Sequence, residues 1–460
     1  MAVLSSNPRV LLTTKFRRSA GDYLDFLGGS TRGLPKLSVP CRVSPGLRFI
    51  KQNVPEVEIL EFPRWHEYVA KLKEGWDVVG FSFYQYEINE IERMAEEARR
   101  QGVAETWAGN FGALDEKVPR IVDRVFLGPG EDEVAQLFGY RVRDDDIEHP
   151  AMTAHLTLHP GSIRHFTLGL LYTQRGCPFK CAFCQTPAFD KRRFTLNLES
   201  VERVLRHYRK IGIKYLFPLD EILGADPRFA DELTRLFARY DFHWWAQTRT
   251  SFFLRYLDEW YERGLRIPAV GVESMSQDSL DSIDKRQDVE DIVEFARRTK
   301  EKAGMFRFAF YLIGYPNMTA EDTLEDAARL RRLEFDTCGV CVITPFPHTP
   351  LWEELEGRYG IFDRDYRHYK LKHLVWNHPH ISPGEMQTLL TTVINSLNKP
   401  LDIYGKVFGK VLWGGLRGRR PAALWRDLKS PLASLLINDR KQFFFPKSVN
   451  FPLKASEGRP

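Results

Sequence analysis

Cysteine is scarce in this chain, and long apolar runs are missing. Six cysteines in 460 residues are too few for a disulfide scaffold and are typical of a protein from a reducing compartment. No stretch approaches the roughly 20 consecutive apolar residues that a membrane-spanning helix needs. The first residues, Met1–Pro8, lack the charged segment and the apolar core of a secretory signal peptide. These absences predict a cytoplasmic protein, and the length predicts about two or three domains.

Net charge is small for the whole chain but unevenly distributed. Residues 401–460 contain twelve Lys or Arg and four Asp or Glu, a net +8, whereas the whole chain carries +5. This region contains Arg417, Arg419 and Arg420 in one short segment, and also Trp413 and the aromatic residues 443–445. Such interleaving is found on surfaces that meet a membrane or an anionic substrate, and also on solvated helices that close a fold. The sequence leaves both interpretations open. It contains no nucleic-acid-binding motif, so no nucleic-acid partner is expected.

Three of the six cysteines, Cys177, Cys181 and Cys184, are close together in the sequence. Their Cys-x3-Cys-x2-Cys spacing is too compact for three strands and too irregular for one helix face, so it predicts a loop around an inorganic cluster. Three thiolates on a [4Fe–4S] cluster leave one iron free for a substrate or cofactor, whereas electron-transfer clusters normally take four cysteines. The alternatives are a disulfide knot or a zinc site. Zinc needs a fourth ligand, and His165 and His207 stand at no recognised zinc spacing.

The cysteine spacing, with the aromatic Phe183 directly before the third cysteine, resembles the cluster motif of radical S-adenosylmethionine (SAM) enzymes. This resemblance implies that the free iron binds the amino and carboxylate groups of SAM. It also implies that the reduced cluster cleaves SAM to a 5′-deoxyadenosyl radical, with Phe183 near the bound SAM. The electron then comes from an external one-electron reductant of the flavodoxin or ferredoxin type.

The N-terminal third of the chain alternates short apolar runs with a segment of helical periodicity. Apolar residues recur at helical spacing within residues 87–101, and Gly102 follows as a stop signal. Strands that alternate with helices predict a parallel, doubly wound sheet, whose ligands bind beyond the carboxyl ends of the strands. The strand candidates are residues 10–13, 57–60, 76–82, 105–109 and 124–128.

Three turns in this part resemble those of the cobalamin-binding domain that precedes many radical SAM cores. The resemblance implies a cobalamin cofactor with Ser82, Gly109 and Asn110 as contacts, because glycines at strand ends let the backbone approach a large ligand. The second turn departs from the family pattern at Ala108, and the Asp-x-His-x-x-Gly motif that supplies an axial histidine elsewhere is absent. The alternative is a Rossmann-like domain that has lost the cofactor and only docks against the core. The three turns are residues 79–82, 108–111 and 128–131.

Further residues that match the radical SAM core follow predicted strands. Asp220 and Glu221 end one strand candidate, where the family places acids near SAM or the substrate. Arg249 ends the next one, where a guanidinium can grip a carboxylate in two-pronged fashion. Glu273 and Ser274 belong to a stretch that resembles the family pattern Gly-Ile-Glu-Ser, and an acid there can accept hydrogen bonds from both ribose hydroxyls. The resemblance implies SAM contacts at these five residues, with helix caps or surface side chains as the alternative.

Two features depart from the family pattern. His348 stands where glycine is usual, which makes it a candidate proton donor or acceptor, with a structural loop histidine as the alternative. Cys338 and Cys341 form a Cys-x2-Cys pair, but Cys41 is the single cysteine left over, so a four-cysteine set cannot be completed. This pair is predicted to provide small buried side chains on an apolar strand.

The order of these features predicts an α/β protein with three regions. They are a doubly wound Rossmann-like domain in residues 1–145, a partial (β/α)6 radical SAM barrel in residues 146–352, and a mainly helical basic region in residues 353–460. Cluster, SAM and cobalamin together imply methylation of an unactivated carbon on a small-molecule or lipid-like substrate. The alternatives are radical cyclisation, rearrangement or oxidation, or a non-catalytic electron carrier or sensor. Relatives with this domain order modify tetrapyrroles, hopanoid or other isoprenoid lipids, natural-product intermediates and peptides, so the resemblance does not select a substrate.

Overall fold

The computed structural model describes residues 7–17, 37–38, 43–158, 164–398 and 451–452. The predictions made for the basic region, a helical structure and a membrane or substrate face, therefore fall largely outside the described residues. Cys41 also lies outside them. In the described part of the chain, no helix is both long and apolar enough to cross a membrane.

The first part of the chain forms a parallel sheet. Its strands, and one that joins the second sheet, are β1 (Val10–Thr14), β2 (Leu37–Ser38), β3 (Glu58–Leu60), β4 (Val78–Ser82), β5 (Glu105–Gly109) and β6 (Arg124–Val125). Five of them pair in the order β3-β1-β4-β5-β6, and every pairing is parallel. After β1 the chain adds β3 on one side of β1, and it then adds β4, β5 and β6 in turn on the other side. The switch point between β1 and β4 is where ligands of such sheets bind.

Helices cover this first sheet. Their limits are α1 (Pro45–Asn53), α2 (Trp65–Leu72), α3 (Ile88–Arg100), α4 (Val118–Ile121) and α5 (Glu131–Ala135). The helical periodicity within residues 87–101 corresponds to α3, whose apolar stripe packs on the sheet. The members of that stripe are all buried: Ile88, Ile91, Met94, Ala95 and Ala98.

The second sheet has eight strands and contains the predicted partial barrel. The strands of this part are β7 (Met152–Leu158), β8 (Arg164–Leu171), β9 (Gln174–Arg175), β10 (Phe194–Thr195), β11 (Tyr215–Pro218), β12 (His243–Thr248), β13 (Leu265–Glu273), β14 (Phe308–Ile313) and β15 (Thr337–Val342). The order of the sheet is β15-β14-β13-β12-β11-β8-β7-β2, and the six strands β8 and β11 to β15 pair in parallel. The strands β7 and β2 extend it by antiparallel pairing, while β9 and β10 form a separate small ribbon.

Helices pack on the outer face of this barrel sheet. Trp244 of β12 contacts Phe237 and Trp260 on two neighbouring helices, with ring centroids 5.5 and 5.7 Å away. Since β2 lies within residues 1–145 yet pairs with β7, the predicted domain boundaries stay a prediction. The helices are α6 (Thr186–Phe189), α7 (Leu198–Lys210), α8 (Pro227–Arg239), α9 (Thr250–Glu262), α10 (Gln277–Ser282), α11 (Val289–Lys300), α12 (Ala320–Arg332), α13 (Pro350–Arg358) and α14 (Pro383–Leu397).

A buried ion pair joins helix α5, which follows the first sheet, to the small ribbon of β9 and β10. Glu131, the first residue of α5, accepts two hydrogen bonds from the guanidinium of Arg175 on β9, at 2.6 and 3.1 Å. The side chains are only 3% and 7% exposed, and the guanidinium carbon lies 4.7 Å from the ring centroid of Phe49. A buried charge is costly unless it is paired, so the loss of either residue would leave the other as an uncompensated buried charge.

Removing one member of this pair should destabilise the protein strongly. We expect Glu131→Ala to lower the free energy of unfolding by about 3–5 kcal/mol, because Arg175 is then left buried without a counter-charge. Urea unfolding of anaerobically prepared protein, followed by circular dichroism, measures this loss. The matched control is Arg141→Ala, which removes an exposed ion pair with Asp132 of the same helix and should change stability far less. An equal effect of the two substitutions would contradict the prediction.

Candidate functional site

A cavity of about 410 Å³ lies between the carboxyl ends of the first sheet and the barrel sheet. Its first wall is made by the turns that follow β4, β5 and β6. Ser82, Gly109 and Asn110 all line this wall, so the structure brings the three predicted cobalamin contacts together. Leu12 of β1 and Gly80 of β4 also line the cavity, which therefore occupies the switch point of the sheet.

Backbone conformation keeps this first wall open. A Cβ atom on Gly109 would meet no atom within 4 Å, so any side chain there would project into free space. Gly128 has a φ of +83°, in the left-handed region that favours glycine. Asn110 has φ 67° and ψ −177°, a conformation nearly restricted to glycine, which costs about 1–3 kcal/mol. The strain at Asn110 is therefore stored at the cavity wall.

The second wall comes from the barrel sheet and its loops, and it is polar. Glu221 lines it, and the Tyr172 hydroxyl donates a hydrogen bond to Oε1 of that carboxyl. Burial raises the pKa of Glu221. Arg175 and Asp190 complete the wall. Tyr172, Arg175 and Asp190 were not predicted from the sequence, because no motif or spacing marks them; the one available signal is that Arg175 stands just before the cysteine loop.

The three cysteines of the loop are unpaired thiols that are each partly buried. The backbone amide of Cys184 donates to the carbonyl of Cys181 at 3.0 Å, and burial raises the pKa values of Cys177 and Cys184. Among the described residues, no three His, Cys, Asp or Glu side chains surround one metal position. A cubane cluster does not need that arrangement, because each cysteine binds a different iron. The Phe183 ring lies beside the loop, 5.9 Å from Lys285 Nζ.

Arg249 lies against the cysteine loop. Its guanidinium donates to the Cys181 sulfur at 3.0 Å and to the carbonyl of Arg286 at 3.2 Å. It also stacks on Phe179, with its central carbon 3.6 Å from the ring centroid. The cluster loop and the carboxyl end of β12 are thus in direct contact. The predicted grip of Arg249 on the SAM carboxylate stays a prediction.

Glu273 and Ser274 lie at the end of β13 but have different surroundings. Oε1 of Glu273 accepts from Lys285 Nζ at 2.7 Å, and both side chains are 8% exposed. A Cβ on Gly271 would lie 2.4 Å from that oxygen, so glycine makes room for the ion pair. Ser274 is fully buried, and its hydroxyl donates to Asp326 at 3.1 Å. The structure therefore places Ser274 in the support of the strand end, and Lys285 joins the candidate site without having been a predicted contact.

Two other predicted site residues, Asp220 and His348, make hydrogen-bond contacts outside the cavity. Asp220 is buried and accepts hydrogen bonds from the Thr173 backbone and hydroxyl at 2.5 and 2.7 Å and from the Gln174 amide at 3.1 Å. Burial raises the pKa of Asp220 to about 7. His348 has Nε2 2.8 Å from the carbonyl oxygen of Leu114, so it contacts the segment that follows β5, and it is not among the residues that line the cavity. The proposed catalytic role of His348 stays a prediction.

Comparison with known proteins agrees with this arrangement. The Radical SAM superfamily model matches residues 171–330. An uncharacterised methyltransferase of Pyrococcus horikoshii is 27% identical over 230 residues, which are 48% of this chain and 49% of that protein. The bacteriochlorophyllide d C-12(1)-methyltransferase of Chlorobaculum tepidum is 25% identical over 215 residues, 45% of this chain and 46% of that protein. The matched part thus spans about half the length of each relative.

A solved structure shows the same architecture over nearly the whole chain. It is the radical SAM methyltransferase TsrM from Kitasatospora setae with cobalamin and a [4Fe–4S] cluster bound, and its TM-score is 0.64. The two sequences are 16% identical, and the superposition covers 93% of this chain and 99% of TsrM. At this identity the comparison concerns the fold, and it confirms the predicted fold class of a Rossmann-like domain followed by a partial barrel. Residues 171–330, which match the Radical SAM superfamily model, thus lie within an architecture like that of TsrM.

Proposed function

We propose that this protein is a radical SAM enzyme that uses cobalamin to methylate an unactivated carbon of a small molecule. The observation that carries the proposal is the cavity, in which the turns of the first sheet face the residues around the cysteine loop. A methyl donor on the first wall and a radical formed at the loop would then reach the same substrate. The similar methyltransferases support methyl transfer over other radical reactions. An electron carrier or sensor has no need for such a cavity.

The cysteine loop fits a three-ligand cluster. Cys177, Cys181 and Cys184 provide three unpaired thiols, and the Arg249 guanidinium donates a hydrogen bond to the sulfur of Cys181. A [4Fe–4S] cluster held by these three cysteines would supply the one-electron cleavage of SAM to a hydrogen-abstracting radical, and cobalamin would supply the methyl group. An external reductant of the flavodoxin or ferredoxin type supplies the electron.

Glu273 is proposed to hold the SAM ribose. Lys285 fixes its Oε1, which leaves Oε2 to accept from a ribose hydroxyl. A carboxylate forms a stronger hydrogen bond with a hydroxyl than a neutral acceptor does. Gly271 supports this role because a side chain at that position would collide with the Glu273–Lys285 ion pair.

The substrate is proposed to have an apolar or planar part. Aromatic rings follow one another near the cavity: Tyr84 is nearly parallel to Tyr86 and to Phe111, with centroids 6.0 and 6.3 Å away. Phe111 in turn stacks on Phe189 of α6 at 4.6 Å. Such rings pack well against flat or apolar molecules. This supports a tetrapyrrole-like or lipid-like substrate over a small, strongly polar one.

The cluster assignment is tested by removing the thiols. Replacing Cys177, Cys181 and Cys184 together with Ala should abolish the cluster, because no thiolate is then left in the loop. Iron and sulfide content after anaerobic reconstitution, with the electron paramagnetic resonance signal of the reduced protein, measures this. Cys341→Ala is the control and should keep the normal iron content, since Cys341 lies on β15 outside the loop. Unchanged iron in the triple variant would show that the assignment is wrong.

Cobalamin binding is tested at Gly109. A Cβ atom there meets no atom within 4 Å, and Gly109 lines the cavity, so Gly109→Trp should fill part of the ligand space and leave the fold intact. We expect cobalamin affinity to fall by about tenfold or more, which needs a loss of only ~1.4 kcal/mol. Corrin absorbance retained after desalting measures it. Gly357→Trp, on α13 and equally free of close atoms, is the matched control. If both variants retained the same amount of cobalamin, the alternative would hold, namely that the Rossmann-like region only docks against the core.

SAM binding is tested at Glu273. We expect Glu273→Gln to weaken SAM binding roughly tenfold, because a hydrogen bond to a charged acceptor contributes about 1.5–3 kcal/mol. Titration of SAM against the resonance signal of the reduced cluster measures the affinity. The cluster itself should assemble normally, and the exposed Glu301→Gln should behave as the unaltered protein. Unchanged SAM affinity in a variant with a full cluster would move the ribose contact to another residue.

A further inference from the structure

We infer that the second wall of the cavity binds the primary amides at the rim of cobalamin through Asp190 Oδ2 and Glu221 Oε2. This inference rests on the proposed function, because it requires cobalamin in the cavity. It gives Glu221 a different ligand from the SAM contact that the sequence predicts. It also assigns a role to Asp190, which no motif marks.

The inference starts from hydrogen bonds that the protein does not make. Asp190 Oδ2 and Glu221 Oε2 are both buried, and neither accepts a hydrogen bond from any described residue. Both residues line the cavity. Buried carboxylate oxygens without a donor are rare in native structures because their desolvation is not compensated. A ligand that brings N–H or O–H donors to this wall removes the deficit.

The other oxygen of each carboxyl group is already held in place. Asp190 Oδ1 accepts from the Arg192 backbone amide at 2.9 Å and from its side chain Nε at 3.3 Å. Glu221 Oε1 accepts from the Tyr172 hydroxyl. These contacts fix the carboxyl planes, so that the two unpartnered oxygens are arranged before a ligand arrives. Such pre-arrangement lowers the ordering cost of binding.

The donor pattern on this wall favours an amide over other ligand groups. Arg175 Nε, a third polar atom of the wall, is buried and lacks an acceptor. The wall therefore offers both acceptors and a donor, which complements the NH₂ and C=O groups of primary amides. A lone ammonium group would satisfy the two oxygens but offers no acceptor to the Arg175 donor. Primary amides surround the corrin ring of cobalamin.

The position of Asp190 gives this contact a structural consequence. A Cβ on Gly128 would lie 3.3 Å from the Asp190 carboxyl carbon, so Asp190 reaches the turn after β6 on the first wall. A corrin held by Asp190 and Glu221 would therefore contact both sheets at once. Cobalamin would then tie the first domain to the barrel next to the Glu131–Arg175 pair.

The test is a hydroxocobalamin titration of cluster-reconstituted Asp190→Asn and Glu221→Gln. Each change keeps the side-chain shape but replaces an acceptor-only group with one that also donates. We expect each to weaken binding by about tenfold, the effect of one hydrogen bond to a charged group. Glu133→Gln, an exposed carboxyl on α5, is the control and should not change the affinity. Thermal unfolding checks that all three variants are folded.

A second ligand tests the same contacts from the other side. In a cobalamin monocarboxylic acid, one rim amide is hydrolysed, and the new carboxylate is repelled by the acidic wall. The unaltered protein should bind at least one such isomer more weakly than hydroxocobalamin, and Asp190→Asn or Glu221→Gln should remove that difference. Normal cobalamin affinity in both variants would overturn the inference while the proposed function stands. Weaker SAM binding with unchanged cobalamin binding in Glu221→Gln would return Glu221 to SAM. If the unaltered protein binds no cobalamin, the inference falls with the proposed function.

Discussion

The buried pair of Glu131 and Arg175 is the interaction on which the rest of the site depends. Glu131 begins α5 directly after the last turn of the first wall, and Arg175 ends β9 two residues before Cys177. The bidentate geometry fixes both distance and orientation between these segments. The aromatic ring of Phe49 covers the guanidinium, so that solvent cannot replace the carboxylate. The cysteine loop is therefore held at a defined position relative to the cavity.

The two walls of the cavity contribute different properties. The first wall is made of strand-end turns in which Gly109 leaves space and Asn110 adopts a strained backbone conformation. This wall therefore contributes space for a ligand and no charged side chain among these two residues. The second wall contains Glu221 and Asp190, whose buried oxygens provide directed polar contacts. A large ligand can therefore approach the first wall closely and be oriented by polar contacts with the second.

The barrel sheet connects this cavity with the proposed SAM site. Glu221 follows β11, Arg249 follows β12 and Glu273 ends β13, and these three strands are neighbours in the sheet. Their carboxyl ends therefore lie at one edge, next to the cysteine loop that Arg249 contacts. The positive φ of Glu273, 61°, is a second case of backbone strain, at the edge where the SAM site is proposed. Radical formation and methyl donation are thus proposed for adjacent parts of a single surface.

The sequence by itself determined the features that depend on near neighbours in the chain. The cysteine spacing marked the loop, the strand candidate 105–109 coincides with β5, and the periodicity in residues 87–101 is α3. The tertiary structure alone decided the roles of Asp220 and Glu221. They are adjacent in sequence, yet Asp220 accepts a hydrogen bond from the backbone amide of Thr173, whereas Glu221 lines the cavity.

The same applies to contacts between distant residues. Glu131 and Arg175 are 44 positions apart, and His348 meets the carbonyl of Leu114 across 234 positions. Spacing and periodicity report which side chains share a strand face or a helix face, and this is a local property. Partners from different elements are chosen by packing of the two sheets, where burial makes an unpaired charge costly. For this reason the sequence alone identified the motifs, whereas only the folded structure showed that Tyr172, Arg175 and Asp190 lie together with Glu221 in the second wall of the cavity.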